Sequence, residues 1–292
     1  MGINRRNFLK AMGAAGGTAV MANCIAAPAD EKKSITEFNG ILFDSTLCGG
    51  CMGCEIVCAE KYGFPFPEDE PLPGVNRETT ETRRVTINCY ETSKGEFYMR
   101  RSCNHCNSPA CASACLTKAM LKTDEGPVIW REDKCIGCRT CMIACPFDIP
   151  KFEYDSPSPK INKCRMCYEL MQEGQQPVCV ENCPAGALLF GKRRELLEIA
   201  RERIYTNPEA YHHAIYGENE VGGTGLLYIG AVPFEEMGMR EDLGTVSYPE
   251  YNKTFLYSVP AVLILWPAFM LGLHSATTER KKRNQIINED ES

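Results

Sequence analysis

The 292-residue chain has no surplus of positive charge: 32 lysines and arginines face 38 acidic residues, for a net charge of −6. A protein whose main task is neutralising phosphates needs the opposite balance, so nucleic acid is excluded as its principal partner. A nucleotide loop is missing as well. The densest glycine run, Gly222-Gly223-Thr224-Gly225, lacks the spacing and the strand-to-helix setting of such a loop and reads as a turn or a close-packed docking strand. Histidine is sparse, with four in all, and His212-His213 has no cysteine or carboxylate cluster beside it, so it reads as a solvated pair. Apolar residues are not scarce. At 44% of the chain they suffice for the core of one large or two small domains, which excludes wholesale disorder.

Cysteine is the residue in excess. Of 18 cysteines, 17 fall in the 136 residues from Cys48 to Cys183. Sixteen of them form four groups of four, and the first and third, Cys48-x2-Cys51-x2-Cys54-x3-Cys58 and Cys135-x2-Cys138-x2-Cys141-x3-Cys145-Pro146, match the bacterial ferredoxin run. The second, Cys103-x2-Cys106-x4-Cys111-x3-Cys115, and the fourth, Cys164-x2-Cys167-x11-Cys179-x3-Cys183-Pro184, follow the same plan with a longer middle loop. Structural zinc sites use two separated Cys-x2-Cys pairs and do not call for a third cysteine two residues on. Disulfides staple distant loops, whereas Cys-x2-Cys-x2-Cys packs thiols too locally for that. Iron–sulfur clusters fit: a tight loop lets three thiolates converge on one cubane, and the cysteine three residues further on starts a helix and serves a neighbouring cluster.

Other residues in this stretch fill supporting roles. Arg101, Lys134, Arg139, Lys163 and Arg165 are cations near the groups that could raise cluster potentials. His105, between Cys103 and Cys106, is expected to hydrogen-bond nearby, because its group already has four thiols. Cys89 lies in a strand-like run, Val85 to Tyr90, hairpinned through Ser93-Lys94-Gly95 to Phe97–Arg101, and reads as a buried free thiol. Leu196, Leu197, Ile199, Ala200 and Ile204 recur at helical spacing and predict an amphipathic helix over Arg194 to Tyr205.

Both ends speak of location. Asn4-Arg5-Arg6-Asn7-Phe8-Leu9-Lys10, followed by small and apolar residues to Ala22, is a twin-arginine signal peptide, with cleavage expected after Ala27-Pro28-Ala29 and Cys24 lost with it. Near the other end, Phe255 to Leu273 is a run of 19 uncharged residues. As a helix it rises about 28 Å, close to the bilayer hydrocarbon thickness, so it predicts one membrane span. Pro260 and Pro267 within it are tolerable where neighbouring membrane helices satisfy the freed carbonyls, which hints at a membrane partner. Arg280, Lys281, Lys282 and Arg283 follow, whereas the 20 residues before Thr254 hold only Arg240 and Lys253, so the positive-inside rule puts the C-terminus in the cytoplasm.

The chain resembles the four-cluster iron–sulfur subunits of respiratory complexes, and within them the HybA-type subunit of periplasmic, membrane-bound nickel–iron hydrogenases. The likeness runs through the leader, Phe43 to Cys48, Cys138 to Pro146, Cys183-Pro184-Ala185-Gly186-Ala187, Phe190-Gly191, Tyr216-Gly217-Glu218, Gly222-Gly223-Thr224, Val232-Pro233-Phe234 and the tail helix. Groups one and two depart from the pattern by ending Cys58-Ala59 and Cys115-Leu116, without proline. The resemblance implies an α+β fold of nested bacterial ferredoxin-like units, each holding two 4Fe-4S clusters, plus one C-terminal transmembrane helix. It implies four 4Fe-4S clusters on exchanged ligand sets: Cys48, Cys51, Cys54 with Cys183; Cys164, Cys167, Cys179 with Cys58; Cys103, Cys106, Cys111 with Cys145; Cys135, Cys138, Cys141 with Cys115. The expected layout is signal peptide 1–29, four-cluster body 40–190, docking extension 191–253, membrane helix 254–276 and cytoplasmic tail 277–292. No catalytic residue is expected here. The resemblance implies an electron relay between the small and large subunits of a periplasmic hydrogenase and an integral membrane quinone-reactive subunit. It leaves open the same relay role in a formate dehydrogenase or another molybdenum or tungsten complex.

Overall fold

The computed structural model describes residues 37–290. The expected leader, its cleavage site and Cys24 lie outside the described residues. The chain divides after Phe38, and the body beginning at Asn39 carries all that follows.

In chain order the body runs strand β1 (Asn39–Asp44), helix α1 (Gly53–Tyr62) and a hairpin of β2 (Thr86–Thr92) and β3 (Gly95–Arg101). Short helix α2 (Ala110–Ser113) precedes a hairpin of β4 (Met120–Lys122) and β5 (Val128–Trp130), and α3 (Thr140–Ile143) precedes one of β6 (Lys151–Phe152) and β7 (Ile161–Asn162). Helices α4 (Tyr168–Gln172) and α5 (Val178–Glu181) lead to β8 (Leu188–Lys192), α6 (Arg193–Thr206), β9 (Leu226–Ile229) and the long α7 (Tyr248–Asp290). The content is mixed helix and strand, as an α+β fold requires.

A three-stranded sheet in the order β8-β1-β9 forms the frame, with β1 antiparallel to β8 and parallel to β9. The continuous apolar run Ile41-Leu42-Phe43 suits a central strand covered on both faces, and all three side chains are buried. Leu42 packs with Leu196, Leu197 and Ala200 of α6 on one face. Ile41 and Phe43 pack on the other with Leu188, Leu226 and Tyr228, on the side where Cys48, Cys54, Cys179 and Cys183 gather. The sheet thus draws strands from both sides of position 190. Gly40 is required near the start of this central strand, since a Cβ there would meet the Gly225 carbonyl oxygen at 2.6 Å.

The Gly222–Gly225 segment is a tight turn feeding β9. Gly222 and Gly223 take φ of 82° and 85°. A Cβ on Gly223 would meet Asn107 Nδ2 at 2.6 Å and Arg193 at 2.9 Å, and the Gly225 N–H donates to the Asn104 carbonyl, so the turn fastens the Cys103 loop to the sheet.

The expected amphipathic helix is α6, and the expected hairpin is β2–β3 with Cys89 buried in it as a free thiol. The histidine pair departs from a wholly solvated reading: His213 is exposed, whereas His212 is half-buried with its ring edge against Phe234, 6.0 Å between centroids. Among the described residues one helix, α7, is long and apolar enough to cross a membrane, over Tyr248–Lys281. Its apolar side chains, Phe255, Leu263 and Leu271 among them, are exposed, which is opposite to a core helix. The helix continues through the expected tail to Asp290 because Glu279 to Arg283 are good helix formers.

Candidate iron–sulfur centres

Each cysteine group folds around one repeated backbone device. The residue two positions after the first cysteine takes left-handed φ in all four: Gly50 (69°), His105 (48°), Gly137 (68°) and Met166 (53°). Only two of these are glycine, and the other two carry the strain of a side chain in that region. The device closes the Cys-x2-Cys loop tightly enough to aim successive thiols inward. The third cysteine of each group, Cys54, Cys111, Cys141 or Cys179, sits near the start of a helix, in place of the fourth as the spacing suggested: Cys58 lies within α1, and Cys115, Cys145 and Cys183 follow helices of a single turn.

The fourth cysteines cross over. One small cavity is lined by Cys58, Cys164, Cys167 and Cys179, and another by Cys115, Cys135, Cys138 and Cys141. Cys106 stands within electrostatic reach of Cys103, Cys145 and Cys111, Cys48 within reach of Cys51 and Cys183, and Cys54 within reach of Cys48. Cys58 is thus brought to the fourth group and Cys115 to the third, each joining residues far apart in the chain. All seventeen cysteines among the described residues are free thiols.

Burial makes several of these thiols hard to ionise on their own. It pushes up Cys54, Cys58 and Cys106, and the neighbouring thiols add to the shift. Cys111 is pushed up to about 12, and Cys141 and Cys179 to about 11, by the same desolvation. Cys115 is the reverse case: burial raises it, yet N–H groups of Met120, Ala119 and Thr117 and the Thr117 hydroxyl bring it below the usual thiol value. Iron bound to sulfur relieves the desolvation penalty by supplying positive charge, so this donor set fits a thiolate-ligated cluster. Among the described residues no three of His, Cys, Asp or Glu converge closely enough to share one metal ion. Two sets of four cysteines instead line cavities, which suits a polynuclear group presenting one iron to each thiolate.

Buried cations accompany the thiols. Lys163 donates from Nζ to Cys103 Sγ at 3.8 Å and to the Cys164 carbonyl at 3.1 Å, as well as to the Val128 carbonyl. Sequence reasoning named Lys163 but missed Arg84, Arg100 and Lys122. Arg84 lines the Cys58 cavity and stacks on Tyr62 at 3.8 Å, and Lys122 Nζ donates to the His105 carbonyl at 2.8 Å. Arg101 instead turns to Glu78, and Arg165 pairs with Glu169 at 2.7 Å. Lys134 is exposed, and Arg139 stacks over Phe152 at 5.1 Å. Strand alternation was the available signal for Arg100: it is the inward neighbour of the outward Arg101. His105 does hydrogen-bond nearby, its Nδ1 accepting from the Val128 N–H at 2.9 Å.

The 4Fe-4S dicluster domain family matches residues 95–193, and the twin-arginine translocation pathway signal family matches residues 2–22. A protein of Nitratidesulfovibrio vulgaris (strain Hildenborough) is 40% identical over 290 residues, covering 96% of this chain and 78% of that one. The hydrogenase-2 operon protein HybA of Escherichia coli O157:H7 is 33% identical over 298 residues, 87% of this chain and 90% of HybA. The chain belongs to the HybA family. A more distant likeness, 32% over 198 residues, is to the iron–sulfur subunit of nitrate-inducible formate dehydrogenase of Escherichia coli K12, covering 64% of this chain and 66% of that subunit. This HybA-family chain is an iron–sulfur electron-transfer subunit of a respiratory oxidoreductase complex, exported by the twin-arginine route.

Proposed function

We propose that the chain is a four-cluster wire carrying electrons between a periplasmic hydrogenase, through its small and large subunits, and a quinone-reactive subunit in the membrane. The observation that carries this reading is that Cys58 lines a cavity with Cys164, Cys167 and Cys179, and Cys115 one with Cys135, Cys138 and Cys141, supported by the HybA relatives. Cys48, Cys51, Cys54 and Cys183 would hold one 4Fe-4S cluster; Cys58, Cys164, Cys167 and Cys179 a second; Cys103, Cys106, Cys111 and Cys145 a third; and Cys115, Cys135, Cys138 and Cys141 a fourth. The two outer groups and the two inner groups then make nested ferredoxin-like units. Each cluster, when bound, accepts one electron and passes it on.

The protein sets the order of the sites. Cys54 and Cys58 share α1, and Cys54 lies within reach of Cys179, which couples the first and second quartets. Cys103 and Cys164 pack together with Ile149 over Lys163, coupling the second to the third. Cys111 lies in reach of Cys141, coupling the third to the fourth. Apolar packing around the thiols excludes water, and the buried cations offset the negative charge that thiolate-ligated clusters bring. Helix α7 anchors the wire in the bilayer with its C-terminus in the cytoplasm, and the exposed residues of 206–253 serve as docking surfaces.

Solubilising the intact complex through this subunit tests the reading. Nickel should co-purify and hydrogen should reduce the clusters. Molybdenum or tungsten in place of nickel, with reduction by formate, would replace the hydrogenase reading with the dehydrogenase one suggested by the formate dehydrogenase relative.

A further inference from the structure

Arg100 lies on β3 opposite Ile87 and is 1% exposed. Its Nη2 donates to Cys179 Sγ at 3.7 Å, its Nε has no hydrogen-bond partner, and it lines the cavity shared by Cys58, Cys164, Cys167 and Cys179. The groups that act on it most are Cys179, Cys164, Cys54 and Tyr228, with no carboxylate among them. An arginine cannot shed its proton, and a buried guanidinium without a negative partner is strongly unfavourable. Buried arginines ordinarily solve this with a carboxylate, as Arg77 does here with Glu55 at 2.6 Å. Arg100 instead meets the Cys179 thiol, a group that carries negative charge once it ligates metal.

We propose that Arg100 is the counter-charge shared by the outer pair of clusters, a positioning residue that raises the reduction potentials of the sites on Cys58/Cys164/Cys167/Cys179 and on Cys48/Cys51/Cys54/Cys183. The inference rests on the ligand sets proposed above. Adding one electron to a cluster increases its negative charge by one while the charge on Arg100 stays fixed, so the buried cation favours the reduced form over the oxidised form. Contact with Cys179 makes the effect larger at the second site than at the first. The inner pair, served by Lys163 and Lys122, lies outside its direct contact.

The test is a redox titration of the intact complex, followed by electron paramagnetic resonance, with Arg100→Gln, Arg100→Lys and, as a control, Arg101→Gln. Iron per chain is measured first. Arg100→Gln should keep about sixteen irons and lower two of the four potentials. The larger drop should be at least tenfold in the reduction equilibrium constant, about 59 mV for a one-electron couple. Arg100→Lys should recover most of the shift, and Arg101→Gln should move nothing. Potentials that stay put in Arg100→Gln, or four that move together, overturn the proposal. If Arg100→Gln loses iron, Arg100→Lys decides alone: intact iron with near-native potentials supports the role of charge, and lost iron shows a need for shape instead. An iron deficit already present in the unsubstituted chain would count against the ligand sets, separately from Arg100.

Discussion

Removing the Glu55 carboxylate should loosen the two outer quartets together. Glu55 sits on α1 between Cys54 and Cys58 and receives Arg77 in a bidentate pair, Nη1 to Oε1 at 2.6 Å and Nη2 to Oε2 at 2.9 Å. Oε1 also accepts the Ile87 N–H at 2.6 Å, and Arg77 Nη1 donates to the Ile87 carbonyl at 2.7 Å, so the pair ties α1 to β2. Both side chains are 1% exposed. Breaking a buried pair from one side costs about 3–5 kcal/mol, because the remaining charge stays buried and unpaired. Here Asp69 still reaches Arg77 Nε at 2.8 Å, but Asp69 is half-exposed, which places the Glu55→Ala loss near the low end, about 3 kcal/mol. With a urea slope of about 1–3 kcal/mol/M, the midpoint should fall by about 1–3 M. Cofactor loss makes such unfolding other than two-state, so the readout is iron retained at each urea concentration after a fixed incubation. Glu55→Gln, which keeps an acceptor for Ile87, should fall between wild type and Glu55→Ala. The double change Glu55→Leu/Arg77→Met should recover much of the loss, since no charge is then stranded. An unchanged midpoint in Glu55→Ala, or a double variant worse than either single one, would refute the reasoning.

Gly50 takes φ of 69° between Cys48 and Cys51, and a Cβ there would run into the Tyr98 ring, so Gly50→Ala should cost the first site its cluster; iron analysis should give about 12 per chain in place of about 16. Leu196→Ala, at a position 1% exposed between α6 and the sheet, should lower stability by about 2–5 kcal/mol while leaving the iron count at room temperature intact, as calorimetry with iron assay would show. Deleting residues 254–292 should release the body from membranes, whereas retention at high salt without partner subunits would contradict the anchor reading.

Much of the site was legible because its signals are local. Cysteine spacing marks the groups, an uncharged run marks α7, and the apolar residues from Leu196 to Ile204 mark α6. The frame was less legible: β1 pairs with β8 and β9, more than 140 residues away in the chain, and nothing local to Ile41-Leu42-Phe43 names those partners. The cations show the same divide. Lys163 was legible from its position beside Cys164, but choosing Arg100 over Arg101 needed the register of β2 and β3, which decides which of two adjacent arginines turns inward. His212 was misjudged in part because the burial comes from Phe234, a residue 22 positions further along the chain.

The most direct measurement is iron and acid-labile sulfide per chain in anaerobically purified protein, with magnetic resonance of the reduced form. The account predicts about sixteen of each and spin coupling between neighbouring clusters. Colourless, iron-free protein that keeps its fold would contradict it.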